Sequence, residues 1–156
     1  MSLAEATRTA LHGLSQRLGS YGVRIDTQWG EDGLVRGRRA AIERAIANLI
    51  ENAAKFSPPH GTIRLTLETH ATGKTSEVRL TIVDQGPGFA DDERASVFEP
   101  FFRGREAIAR NLPGSGLGLA VVRETAAALG GRVEIGDGPG GAVALAFPQA
   151  EPDSRS

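Results

Sequence analysis

Three clusters of polar and glycine residues carry most of the chemistry open to this chain. Asn48 and Asn52 lie one turn apart on a strongly helical pattern, with Lys55 and Phe56 next along it. Asparagine is a mediocre helix former because its amide competes for backbone hydrogen bonds. Two on one helix face are a solvated surface, or amide oxygens turned toward a cation such as Mg²⁺. That ion takes hard oxygen ligands and draws only one or two from protein when phosphates supply the rest. Lys55 would then add a point charge for phosphate. Phe56 offers a ring face to a base, or packs into the core; the pattern alone leaves both open.

Asp84 ends a β-branched run and precedes Gly86-Pro87-Gly88. Read plainly, this is a turn. Read chemically, it is a carboxylate that accepts from an exocyclic amine, with glycines that let a ligand approach the backbone. Gly114-Ser115-Gly116-Leu117-Gly118-Leu119 opens a later helix. Free N–H groups and the helix dipole favour an anion there. A polar helix face, an acid at a strand end and two glycine-rich turns are the parts needed to hold a nucleotide. The order and spacing of the set say more than any one member.

Other chemistries are disfavoured. A dinucleotide fingerprint needs a strand just before its glycines, and the residues before Gly114 read as loop. There is no phosphate-binding loop of the G-x-x-x-x-G-K-[ST] type. His12, His60 and His70 lack metal-ligand spacing, and no serine has a nucleophile-elbow context. The chain has no cysteine, which removes disulfides, thiol catalysis and cysteine-based zinc sites. With 18 basic and 19 acidic residues the net charge is -1. That balance gives no field for nucleic acid. No apolar run approaches the ~18 residues of a membrane span, and no direct membrane contact is expected.

The elements that position these clusters are legible from periodicity. Leu3 to Leu18 has a helical period that ends near Gly19. Val23 to Trp29 reads as a strand, and Leu34-Val35 as a short extended piece after a Glu-Asp-Gly turn. Arg38 to Lys55 is the strongest helix, with Ile42, Ala45, Ile46, Leu49, Ile50 and Ala53 on one stripe and Asn48 and Asn52 on the next. Thr62–Thr69 and Glu77–Val83 alternate as strands, with residues 70–76 as the hairpin loop. After Asp84 the chain reads as loop for about thirty residues, long enough for a functional lid. Asp91-Asp92-Glu93 suits the start of a short helix within it, and Val97, Phe98, Phe101 and Phe102 form an apolar knot. Ser115–Leu129 is helical. Arg132–Ile135 and Ala142–Phe147 close the chain as a second hairpin around a Gly-Pro-Gly-Gly turn. The predicted fold is α+β: a two-layer sandwich with a mixed five-stranded sheet and about three helices on one face. Residues 1–150 are expected to form one domain and 151–156 a disordered polar tail. Met1-Ser2-Leu3 reads as an expression start joined to a fragment, with no signal peptide.

Taken together, these residues resemble the ATP-binding catalytic domain of sensor histidine kinases. That domain belongs to the wider GHKL group (the Bergerat fold), with type II topoisomerases, mismatch-repair ATPases and heat-shock chaperone ATPases. Asn48 to Ser57 is similar to the N box, Asp84 to Gly88 to the G1 box, Val97 to Arg103 to the F box, and Gly114 to Leu119 to the G2 box. The resemblance runs from roughly Arg24 to Pro148.

The resemblance implies roles. Asn52 would ligate Mg²⁺, Asn48 would support the phosphates, and Lys55 would touch phosphate. Asp84 would read the adenine amino group in a pocket shaped by Gly86 and Gly88, with Phe56 against the base. Phe98 and Phe101 would anchor the lid, and Arg103 would reach the terminal phosphate. Gly114, Ser115, Gly116, Leu117, Gly118 and Leu119 would wrap the phosphate chain. Asn48, Asn52, Lys55 and Arg103 would form the catalytic set.

The F box points to the histidine kinase branch. So does Asn48, which stands where hydrolytic branches carry a water-activating glutamate; an amide is a poor base. Glu51 sits on a neighbouring face, off that position. Pro113 stands where many relatives have glycine, and Ala142-Val143 where they often have a hydroxyl residue and Phe. No histidine here has the phosphoacceptor context, so the acceptor and dimerisation domain is expected elsewhere, and this fragment alone is expected not to autophosphorylate. The implied function is a protein-histidine kinase domain of a two-component system. It would use ATP and Mg²⁺ and act before a response regulator, on the cytoplasmic side of a parent anchored in the bacterial inner membrane. The segment from about Arg103 to Pro113 is expected to be the most mobile internal stretch, and the fragment to be monomeric. An ATP hydrolase of the same fold and a degenerate docking module are the alternatives, separable by ATP turnover and by failure to bind nucleotide.

Overall fold

The computed structural model describes residues 1–99, 102, 118–136 and 140–150. Its elements in chain order are α1 (Leu3–Gly13), α2 (Ser15–Tyr21), β1 (Arg24–Trp29), α3 (Arg39–Phe56), β2 (Thr62–Thr72), β3 (Thr75–Val83), α4 (Gly118–Ala128), β4 (Arg132–Ile135) and β5 (Ala142–Pro148). The five strands form one mixed sheet in the order β1-β2-β3-β5-β4. β1 runs parallel to β2, because α3 carries the chain back across the sheet between them. The remaining pairs are antiparallel.

Alternation along the strands separates two faces. Ile63, Leu65 and Leu67 of β2, Val78, Leu80 and Ile82 of β3, and Leu145 and Phe147 of β5 are buried. Cross-strand register aligns Leu67 with Leu80 and Leu80 with Leu145, which makes a continuous apolar floor. The stripe of α3 (Ile42, Ala45, Ile46, Leu49, Ile50, Ala53 and Ala54) lies in the same core cluster, with Val122 and Ala126 of α4 and Leu3, Ala6 and Ala10 of α1. The opposite face carries Arg79, Arg132, Glu77 and Glu134, whose side chains form ion pairs across the strands.

The structure differs from expectation in three places. The first helical pattern is broken at Leu14, whose backbone leaves helical angles (φ -97°, ψ 0°) just after Gly13. Four helices therefore stand among the described residues. α2 then stops at Gly22, which takes a left-handed φ of 69°. Second, β2 and β3 extend through the expected loop: His70 pairs with Glu77, Ala71 with Ser76 and Thr72 with Thr75. Only Gly73-Lys74 is left to turn the chain, with Gly73 at φ 62°. Polar residues at a hairpin tip obey the ladder even where no core demands it. Third, residues 91–98 form successive turns, closed by bonds such as Glu93 N–H to Ala90 C=O (2.9 Å) and Ser96 N–H to Glu93 C=O (2.8 Å), in place of the expected helix start.

The Glu31-Asp32-Gly33 turn has a job that periodicity does not reveal. Asp32 accepts from the Ala4 amide (3.1 Å) and from the Ser2 hydroxyl (2.6 Å), and Ser2 Oγ accepts from the Glu5 amide (3.1 Å). Together they cap α1 with a carboxylate at its positive end. No helix among the described residues is long and apolar enough to cross a membrane.

Candidate nucleotide site

α3 supplies the polar face. Its apolar stripe fixes the helix on the sheet, so Asn48, Asn52 and Lys55 fall on the adjoining stripe and are only partly covered. Neither amide is drawn into a hydrogen bond with another described residue. Both therefore keep a carbonyl oxygen to offer, a donor set that fits a hard cation sharing its shell with phosphates. Among the described residues no group of three His, Cys, Asp or Glu side chains could hold a metal. Lys55 lies in the last turn of α3, where a cation also complements the helix dipole. Glu51 forms an ion pair with Arg17 of α2 (3.1 Å), so its carboxylate is committed toward α2.

Phe56 ends α3 and is half-buried. Its carbonyl stands against Gly86: a Cβ added at Gly86 would lie 2.4 Å from Phe56 O. Ser57 follows, 7% exposed, and its hydroxyl has no partner among the described residues. Such a group is costly unless water or a ligand reaches it. The next turn is tied to the same place by Gln85, whose Oε1 accepts from the Thr62 amide (2.8 Å). The end of α3 and the turn after β3 are thus clasped together.

Asp84 follows β3 directly. Its Oδ1 accepts from the Gly86 amide at 2.8 Å and from the Gly141 amide at 3.1 Å. Burial pushes its carboxyl above the ordinary value of 3.8, against the pull of those two amides. A half-buried carboxylate with one oxygen engaged by the described residues is suited to accept from a ligand donor. Gly140 and Gly141 were legible only as a hairpin turn. They belong to the site because the ladder runs on past Ala142: the Asp84 amide donates to Gly141 C=O at 2.8 Å. Gly88, at φ 76°, is packed so closely that a Cβ there would lie 2.7 Å from Gly140 O. The only hint in sequence was the density of glycine in that turn.

Gly118 and Leu119 start α4, which packs against α3. Val97 is buried and Phe98 and Phe102 are partly covered. Arg94 reaches back to Ile135 C=O (3.2 Å), which fastens the segment after Gly88 to the last hairpin. Phe101, Arg103, Pro113, Gly114, Ser115, Gly116 and Leu117 lie outside the described residues.

Comparison with known proteins agrees with this fold. A family model described as histidine kinase-, DNA gyrase B-, and HSP90-like ATPase matches residues 37–151. The signal transduction histidine-protein kinase/phosphatase MprB of Mycolicibacterium vanbaalenii is 46% identical over 108 residues, which cover 69% of this chain and 21% of that protein. The chain thus spans about a fifth of the length of the curated relatives it matches. A solved structure of a mycobacterial sensor histidine kinase MprB superposes with a TM-score of 0.81 at 32% identity, over 97% of both chains. Full-length ShkA, solved in complex with AMPPNP, superposes with a TM-score of 0.74 at 28% identity, over 95% of this chain and 30% of that one. On the family match and the shared fold, the chain belongs to the histidine kinase-, DNA gyrase B- and HSP90-like ATPases.

Proposed function

We propose that this domain binds ATP with Mg²⁺ and presents the terminal phosphate to a histidine on a separate dimerisation domain of a two-component sensor kinase. The observation that carries this reading is Asp84: a half-buried carboxylate, gripped on one oxygen by two backbone amides, where α3, β3 and the last hairpin meet. The similarity to MprB over 69% of the chain supports the kinase branch of the family.

Asp84 accepts from the adenine amino group, with Gly86 and Gly88 keeping the base close to the backbone. Phe56 lies against the base. Asn48 and Lys55 hold phosphate oxygens, joined by Arg103 and by the stretch Gly114 to Leu119. Asn52 would hold Mg²⁺, which supplies charge neutralisation on the phosphates when bound. Phosphoryl transfer needs mainly positioning and charge neutralisation from the protein. The acceptor imidazole nitrogen bonds to the γ-phosphorus, the bond to the β,γ-bridging oxygen breaks, and ADP leaves. Asn48 is a poor base for water and Glu51 is engaged by Arg17, so the site favours a protein nucleophile over hydrolysis. The acceptor domain, a response regulator and a membrane anchor in the parent complete the proposal.

The test is phosphorylation in trans. The chain, γ-labelled ATP and Mg²⁺ are mixed with the parent's histidine-bearing helical domain. Acid-labile label on that domain, lost when its histidine is replaced by glutamine, is expected. Rapid release of free phosphate without labelling would contradict the proposal.

A further inference from the structure

The carboxylate at the centre of the site is seated by two turns distant in sequence. The Gly86 amide reaches Asp84 Oδ1 at 2.8 Å from its own turn, and the Gly141 amide reaches the same oxygen at 3.1 Å from the β4–β5 hairpin. Gly141 is held there by its own carbonyl, which accepts from the Asp84 amide at 2.8 Å. No described residue donates to Oδ2. The carboxylate can take this position only because residue 141 has no side chain: a Cβ there would lie 2.4 Å from Oδ2 and 3.0 Å from both Cγ and Oδ1. Gly140 is as confined. At φ 81°, a Cβ there would lie 2.4 Å from the Asp84 carbonyl oxygen.

We propose that Gly141 is a positioning residue for base selection: its amide fixes Oδ1 of Asp84, and its bare Cα leaves Oδ2 aimed at the amino group of an adenine base. One oxygen is spent on the protein so that the other has a single orientation. A carboxylate free to rotate would pay ordering entropy on binding and would accept less selectively. The inference rests on the adenine-nucleotide reading above.

The experiment separates the two. Binding of ATP and of purine riboside triphosphate, which lacks the exocyclic amine, is measured by calorimetry for the unsubstituted chain, Gly141→Ala, Asp84→Asn and the double variant. The unsubstituted chain should prefer ATP by roughly tenfold to a hundredfold, the worth of a hydrogen bond to a charged group. Gly141→Ala should remove most of that preference by weakening ATP alone. In the Asp84→Asn background it should add almost nothing, since it acts through the carboxylate. Gly136→Ala serves as a hairpin control. Its Cβ would meet the Ala142 methyl at 3.0 Å, with atoms of Ala142 as its three nearest neighbours, so it should lower Tm and keep the preference. Should Gly141→Ala fail to fold, the Gly86 and Gly141 amide resonances of the unsubstituted chain provide the readout: both should shift with ATP and shift far less with the analogue. Equal weakening of both ligands by Gly141→Ala, or a Gly141 amide indifferent to which ligand is bound, would overturn the inference. No preference in the unsubstituted chain would overturn the base-reading role of Asp84 itself.

Discussion

The carbonyl oxygen of Phe56 occupies the space that a side chain on Gly86 would need, with only 2.4 Å to an added Cβ. Helix α3 and the turn after β3 meet backbone to backbone, which sets the polar face of the helix beside the Asp84 carboxylate. Gly86→Ala must separate them. A loss of about 1–3 kcal/mol in unfolding free energy is expected, typical of overpacking against a neighbour that cannot yield. ATP affinity should fall with it. Denaturant unfolding and calorimetry on the same sample check both; an unchanged midpoint would show that the contact is not needed.

Asp84→Asn should weaken ATP by on the order of tenfold or more while preserving the fold, since the amide oxygen can still accept from Gly86 and Gly141. Stability should move the other way. Burial raises the Asp84 carboxyl above 3.8, so the folded state holds that proton more tightly than the unfolded state does. The penalty for the buried charge is absent below the unfolded value. It grows as pH rises through the raised folded value and is constant at neutral pH. Asp84→Asn is therefore expected to melt at or above the temperature of the unsubstituted chain at pH 7, and the gap should close as pH falls toward 3.8. Melting curves across that range check the sign. A variant less stable at pH 7 would mean that the charge is compensated in the free protein.

Asn52→Ala should abolish the gain in ATP affinity that Mg²⁺ provides and leave metal-free binding almost unchanged. Binding isotherms with Mg²⁺ and with a chelator measure the two cases. Equal losses in both would remove Asn52 from the metal role and leave it as a phosphate contact.

Most of the fold could be read from periodicity because burial on one face imposes it. α3 was legible to within a residue at each end: its stripe from Ile42 to Ala53 has no other way to hide, and Pro58-Pro59 follows. The same reasoning gave β1, β4 and β5. It failed at Leu14, whose side chain is buried in the core so that the apolar period runs on through the break, and at His70–Ser76, where hairpin pairing overrode polar composition. In the site, Asp84, Gly86 and the α3 face were visible because unusual residue types stood at regular spacing. Gly141 was not. Its contribution is a backbone amide, and the amide's address is set by strand register, which no local pattern encodes.

The ion pairs on the open sheet face should matter little. Hydrogen bonding from Arg132, opposed by partial burial, holds the Glu77 carboxyl below its ordinary 4.5. What it contributes is present above 4.5 and lost as pH falls through the lowered folded value. Both partners are part-exposed, so solvent screens the pair. Glu77→Gln should cost less than about 1 kcal/mol at neutral pH, and less still at high salt. Chemical denaturation at two ionic strengths measures it; a larger, salt-independent loss would mean that the network is structural.

On the proposed function, this domain holds ATP and keeps its terminal phosphate for a protein acceptor. The most direct measurement is calorimetric titration with ATP and with GTP, each with and without Mg²⁺, while free phosphate is followed in the same cell. Binding of ATP over GTP, strengthened by Mg²⁺ and accompanied by little phosphate release, is the predicted result. Rapid phosphate release, or no binding of either nucleotide, would contradict it.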